Sequence, residues 1–180
     1  MPVFYKKKFQ EIVIVSISKK DLSKMSRAVL FVKRNRPRTF KLIKSLDAIL
    51  IYQKRGYENQ LFYKERIWVC KTQTVLESSL AYLASLLVHE AEHLRQHDGG
   101  KRAFGSRAEG EAYRAQRRFL KSTGTKEEVM WLDSLYKKKW WVRRTSDGKA
   151  TLFTRSQGPF NNFVALYLSK KLHTRPLKEN

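Results

Sequence analysis

Between Val75 and Leu94 the chain places apolar residues at helical spacing, and that run closes on His89-Glu90-Ala91-Glu92-His93. Leu76, Leu80, Leu83, Leu87, Ala91 and Leu94 fall on one side of a helix, and Leu86 and Val88 widen the apolar surface. Such a helix has to be buried over much of its circumference. Its histidines and glutamate then need partners, because an unpaired charge in a core is costly. Thr74-x-x-Glu77 reads as a capping box at its start, and Asp98-Gly99-Gly100 reads as its stop. The spacing therefore predicts one continuous helix over about residues 75–97.

The buried end of that helix contains H-E-x-x-H. Positions i and i+4 share a helix face about 6 Å apart along the axis, so His89 and His93 can bind one zinc ion. Glu90, directly after the first histidine, is then placed as a general base toward a water polarised by the metal. An ordinary hydrogen-bond network around the same side chains is the competing reading. His97 looks like a third ligand, but it lies about 12 Å along the helix from His89, too far to share the ion. At the helix C-terminus an imidazolium there favours the dipole.

The next helix supplies a third ligand candidate. It starts at Ser106, ends at Gly124, and its inward arc holds Ala108, Ala112, Ala115, Phe119 and Leu120. Glu109 and Gln116 fall inside that arc, Tyr113 falls at its edge, and Glu111 falls on the opposite side with Arg114 and Arg118. A helical hairpin would return Glu109 alongside His93, giving the two-histidine, one-carboxylate set of a zinc site. Ser106-x-x-Glu109 is also a capping box, in which Glu109 would bond only to backbone N–H groups.

HEAEH on a helix, followed by Glu109 in an E-x-E-A context, resembles the gluzincin group of zincin-like metallopeptidases, in particular their small single-domain members, the minigluzincins. The resemblance covers about residues 74–124. It implies an α+β, zincin-like fold, with a small mixed sheet packed on the motif helix and able to take substrate as an added strand. It also implies zinc held by His89, His93 and Glu109, Glu90 as base, and peptide or protein as substrate. The third histidine of metzincins is absent, and so are zinc-ribbon cysteines. No residue matches a family transition-state donor, and Tyr113 and His97 are the candidates for that role.

Around this core the chain reads as one domain, residues 1–136, with a basic, aromatic-rich extension over residues 137–180. Ile12–Ile17 is expected as a strand rather than the apolar core of a leader peptide, because it is short and no small-residue cleavage site follows. Ser18-x-x-Asp21 starts a helix that ends at Asn35-Arg36-Pro37, and a short helix passes through Phe40, Ile43 and Leu46. Ala48–Tyr52, Leu61–Tyr63 and Ile67–Cys70 read as strands, with turns at Lys64-Glu65-Arg66 and after Arg55-Gly56. A third long helix runs from Lys126 to about Tyr136. Asp147-Gly148 marks a hairpin between Trp140–Thr145 and Thr151–Thr154.

The net charge of +22 is unevenly spread. Residues 1–73 hold 18 Lys and Arg against 5 Asp and Glu, and residues 137–180 hold 11 against 2. Residues 74–136, which carry the motif, hold 9 of each. The basic flanks point to nucleic acid or another polyanion, or to a general basic bias. Trp140, Trp141, Phe153, Phe160, Phe163 and Tyr167 could stack on bases or pack a peripheral hairpin. A lone Cys70 excludes an internal disulfide and fits a reducing compartment. No run is long and apolar enough for a membrane span, so a cytoplasmic protein is expected. The leading functional expectation is a zinc peptidase. The alternative is a nucleic-acid-binding protein with a vestigial or regulatory zincin fold.

Overall fold

Strand β2 (Ile12–Ser16) and strand β3 (Ala48–Tyr52) are apolar at nearly every position, as expected of strands covered on both faces. In the computed structural model, which describes residues 5–52, 59–138, 142–144 and 150–152, they lie parallel at the centre of a five-stranded sheet. The strand order is β1-β2-β3-β5-β4, where β1 is Tyr5–Phe9, β4 is Gln60–Phe62 and β5 is Ile67–Lys71. β3 and β5 are parallel, whereas β1 and β4 run antiparallel at the two edges. The fold is thus α+β with a mixed sheet. Strand β1 is not expected from its lysine-rich sequence; a tight turn with positive φ at Gln10 and Glu11 folds it back on β2.

Helix α1 (Lys19–Asn35) and helix α2 (Pro37–Ile43) connect β2 to β3. The Ser18 hydroxyl accepts from Asp21 N–H to cap α1, and Pro37 opens α2 after α1 has stopped, both as the sequence indicates. One face of the sheet joins the main core: Ile12, Ile14, Ile49, Ile51, Trp68 and Cys70 are fully or almost fully buried with Met25, Val29, Leu83, Leu87, Ala91 and Phe119. The opposite face gathers Val15, Ala48, Leu50, Phe62 and Ile67.

The continuous helix expected over 75–97 is instead two. Helix α3 (Thr72–Glu77) ends at Ser78, whose backbone is extended, and helix α4 (Leu80–Asp98) starts afresh. Ser79, not Thr74, is the N-cap of α4: its hydroxyl accepts from Tyr82 N–H at 3.0 Å. Glu77 consequently pairs with Gln73, and Leu76, expected on the buried stripe, is 49% exposed. From Leu80 on, the stripe is as expected. Gly99 closes α4, and Gly100 takes a positive φ of 67° just beyond it.

Helix α5 (Ser106–Thr123) packs along α4, and helix α6 (Lys126–Lys138) packs on α5. A hairpin of β6 (Val142–Arg144) and β7 (Ala150–Leu152) follows, in the register Val142↔Leu152. The turn and aromatic residues expected around it, including Trp140, Trp141, Phe153, Phe160, Phe163 and Tyr167, lie outside the described residues.

Candidate metal centre

The centre is built where α4 and α5 cross. On α4, His89 and His93 are one turn apart and buried, with His93 wholly enclosed. On α5, the cap position is Gly105, at a φ of 94° that suits glycine, and Ser106 is already helical. The capping-box alternative for Glu109 therefore does not form. Its carboxylate turns inward, with Oε2 3.4 Å from His89 Nε2 and Oε1 3.6 Å from His93 Nε2. The two Nε2 atoms are 3.2 Å apart. Ligand atoms held 2.0–2.1 Å from one tetrahedral ion stand about 3.3 Å from each other. These three residues are thus spaced as a single small ion requires, and they could hold a metal ion.

Their hydrogen bonds fix which ring nitrogens face the centre. Gln96 Nε2 lies 3.1 Å from Ala108 O and 3.2 Å from Glu111 Oε2, both of which only accept. Its Oε1 must then face His93 Nδ1 at 3.0 Å, so that nitrogen carries the proton and donates it. Ser85 Oγ donates to Tyr82 O at 2.7 Å, and therefore accepts from Gln116 Nε2 at 3.1 Å. Gln116 Oε1 is left to accept from His89 Nδ1 at 3.1 Å. Both imidazoles consequently direct Nε2 lone pairs at each other and at a carboxylate. Three acceptors in a dry site call for a cation.

Electrostatics agree. Burial works against ionisation of Glu109, but hydrogen bonding and charge from His89 and His93 outweigh it and hold the carboxyl well below the usual range. Burial likewise opposes a charge on His93, and Glu109 overcomes this to raise its pKa. Glu90 is buried, and its Oε2 has no hydrogen-bond partner among the described residues. Its charge reaches His93 on one side and, after the larger effect of burial, helps push up the Cys70 thiol on β5. A buried carboxylate oxygen on the residue next in sequence to His89 is therefore left without a partner among the described residues.

Of the remaining candidates, Tyr113 meets the cluster: its ring stands edge-on to His89 at 5.1 Å and tilts against Tyr136. His97 is not brought there. It stacks on Tyr63 at 5.4 Å, with Nδ1 3.4 Å from Asp98. Glu111 does lie off the apolar arc, yet it is not idle: it accepts from Gln96 and pairs with Arg107.

Sequence reasoning missed the work of the glutamines. Gln116 was legible as inward-facing, and Gln96 lies three residues after His93, the spacing of one helix face. Neither carries a motif, because orienting an imidazole takes any acceptor. Comparison with known proteins adds no family to this geometry: no family model, curated protein or solved structure matches the chain.

Proposed function

We propose that the chain is a zinc-dependent peptidase of gluzincin type, with His89, His93 and Glu109 as ligands and Glu90 as general base. The observation that carries this reading is the convergence of two Nε2 atoms and the Glu109 carboxylate, with a second buried carboxylate, Glu90, beside His89 on the same helix, one of whose oxygens has no partner among the described residues. Nitrogen and oxygen donors at this spacing suit zinc, and a set of three leaves a fourth position open for chemistry. Bound there, zinc would polarise a water and the scissile carbonyl.

The protein's own groups do the rest. Glu90, one residue from His89, takes the proton of the attacking water and returns it to the leaving amine. Gln96 and Gln116 hold the imidazoles in the Nδ1–H form, so their Nε2 atoms stay available as ligands. Tyr113, beside His89, is the candidate donor to the developing oxyanion. Strand β4, at the sheet edge next to β5, offers a line of backbone groups on which a peptide can lie as an added strand.

The test is direct. Purified protein should carry one zinc per chain, and Glu90→Gln should lower peptide hydrolysis by about 10²- to 10⁴-fold while zinc stays bound. Hydrolysis at the wild-type rate in Glu90→Gln would remove the mechanism, and an absence of bound zinc would remove the metal.

A further inference from the structure

Asp21 and Asp47 bracket 25 residues that contain eight Lys and Arg and no Asp or Glu. In the fold this segment is most of α1 together with α2. The apolar side of α1, Leu22, Met25, Ala28, Val29 and Val32, is spent on the core. The outward side carries Lys20, Lys24, Arg27 and Arg34, which at 100° per residue fall within an 80° arc and form a stripe about 21 Å long. Lys20, Arg27 and Arg34 are exposed, and Arg36, Arg38 and Lys41 continue the basic surface onto α2.

These seven cations have no carboxylate partner among the described residues. Within the acid-free segment only Lys44 pairs with a carboxylate among the described residues, that of Glu11. The one acid at the start of α1, Asp21, is buried. Lys24 donates to Leu76 O, and burial together with the nearby Arg27 and Lys20 lowers its pKa, as expected of crowded like charges. The stripe is therefore a concentrated positive field with nothing in the described fold to balance it.

We infer that the α1–α2 face is a docking surface for the phosphate backbone of double-stranded nucleic acid, read without regard to sequence. Duplex DNA carries one charge per about 1.7 Å of axis, so a 21 Å stripe runs beside about a dozen phosphates. Among the described residues the exposed large apolar side chains are Tyr52, Leu76, Phe104, Met130, Trp131 and Tyr136, and none lies on α1 or α2. With no aromatic to stack on, single-stranded bases gain little there. With its apolar side already buried in the core, α1 also lacks the wedge that an interfacial helix sinks into a bilayer. Phosphate contact alone remains, which positions without specifying.

The full chain is titrated with two fluorescent 20-base-pair duplexes of unrelated sequence between about 50 and 200 mM salt. Both should bind alike, and Lys20→Gln/Arg27→Gln/Arg34→Gln/Arg38→Gln should reduce the salt slope by about 4, one for each phosphate that is no longer neutralised. A control with the same change in net charge, Arg114→Gln/Lys126→Gln/Lys137→Gln/Lys138→Gln, should change the slope by less than about 1. Circular dichroism confirms that both variants fold. The inference is overturned if the two variants lose affinity equally, if a 20-nucleotide single strand binds as tightly as the duplex, or if phosphatidylserine vesicles bind better than either. None of these outcomes depends on zinc, so the surface and the metal centre stand or fall separately.

Discussion

The three side chains that converge between α4 and α5 all offer acceptor atoms there, so protons and metal compete for the same lone pairs. Without metal, the lowering of Glu109 and the raising of His93 both favour a proton on His93 facing an ionised Glu109. The signs follow from the two shifts. Glu109, lowered, contributes stability above the ordinary carboxylate pKa, and that contribution disappears as pH falls through its lowered value. His93, raised, contributes fully below the ordinary imidazole pKa of about 6.5 and loses its contribution as pH rises through its raised value. A metal ion must displace that proton. Zinc affinity should therefore climb about tenfold per pH unit while His93 is still protonated, then level off, with one proton released per ion. Chelator-competition titrations across about pH 6 to 8 measure this, and a flat profile would contradict the shared-ligand geometry. The glutamines give a second residue-scale prediction. Gln116→Leu and Gln96→Met should each weaken zinc binding about 10- to 100-fold. In the metal-free wild type, above the pH at which the rings lose their charge, ring-nitrogen NMR should find both histidines in the Nδ1–H form. Wild-type affinity in both variants would mean that the amides do not orient the rings.

At the scale of elements, the start of α4 matters because the motif rides on that helix. Ser79 caps it through Tyr82 N–H and also bonds the Glu128 carboxylate of α6, tying two helices together. Ser79→Ala should cost about 0.5–2 kcal/mol, the usual worth of a lost N-cap, read as a lower chemical-denaturation midpoint. Thr74→Ala, at the position that the sequence alone suggests as the cap, should cost less. Equal losses would restore the single long helix. The sequence misplaces this cap because Thr74-x-x-Glu77 and Ser79 are both competent, and local propensity cannot choose between them. The choice falls to packing: Val75 is fully buried, Leu76 is exposed, and the extended backbone of Ser78 separates α3 from α4. The Glu-bearing helix was more legible. Its inward arc of Ala108, Ala112, Phe119 and Leu120, with Glu109, Tyr113 and Gln116 among them, is buried as the 100° spacing indicates.

For the whole molecule, the candidate metal centre joins α4 to α5, so if zinc binds there in the folded state alone it must stabilise that state. Free zinc at about 100 times its Kd should add about 2.7 kcal/mol, seen as a higher melting temperature that returns on chelation. His93→Ala should abolish that zinc-dependent rise. An unchanged rise would mean that the stabilising ion binds elsewhere.

By itself the sequence determined the elements and the chemistry on offer. Short apolar runs and helical spacing located β2, β3, β5, α1 and α5, because buried strands read as continuous apolar runs and buried helix faces as a 3.6-residue period. The i, i+4 histidines and the inward Glu109 named the cluster for the same reason. Only the tertiary structure decided which donors meet. The crossing of α4 and α5 set the distances of 3.2, 3.4 and 3.6 Å, brought Gln96 and Gln116 behind the rings, and left His97 stacked on Tyr63. It also buried the apolar side of the acid-free segment and left most of its cations exposed. Spacing along a helix fixes direction around its axis, whereas a binding site needs atoms from separate helices within one hydrogen-bond length, and only packing of the core supplies that.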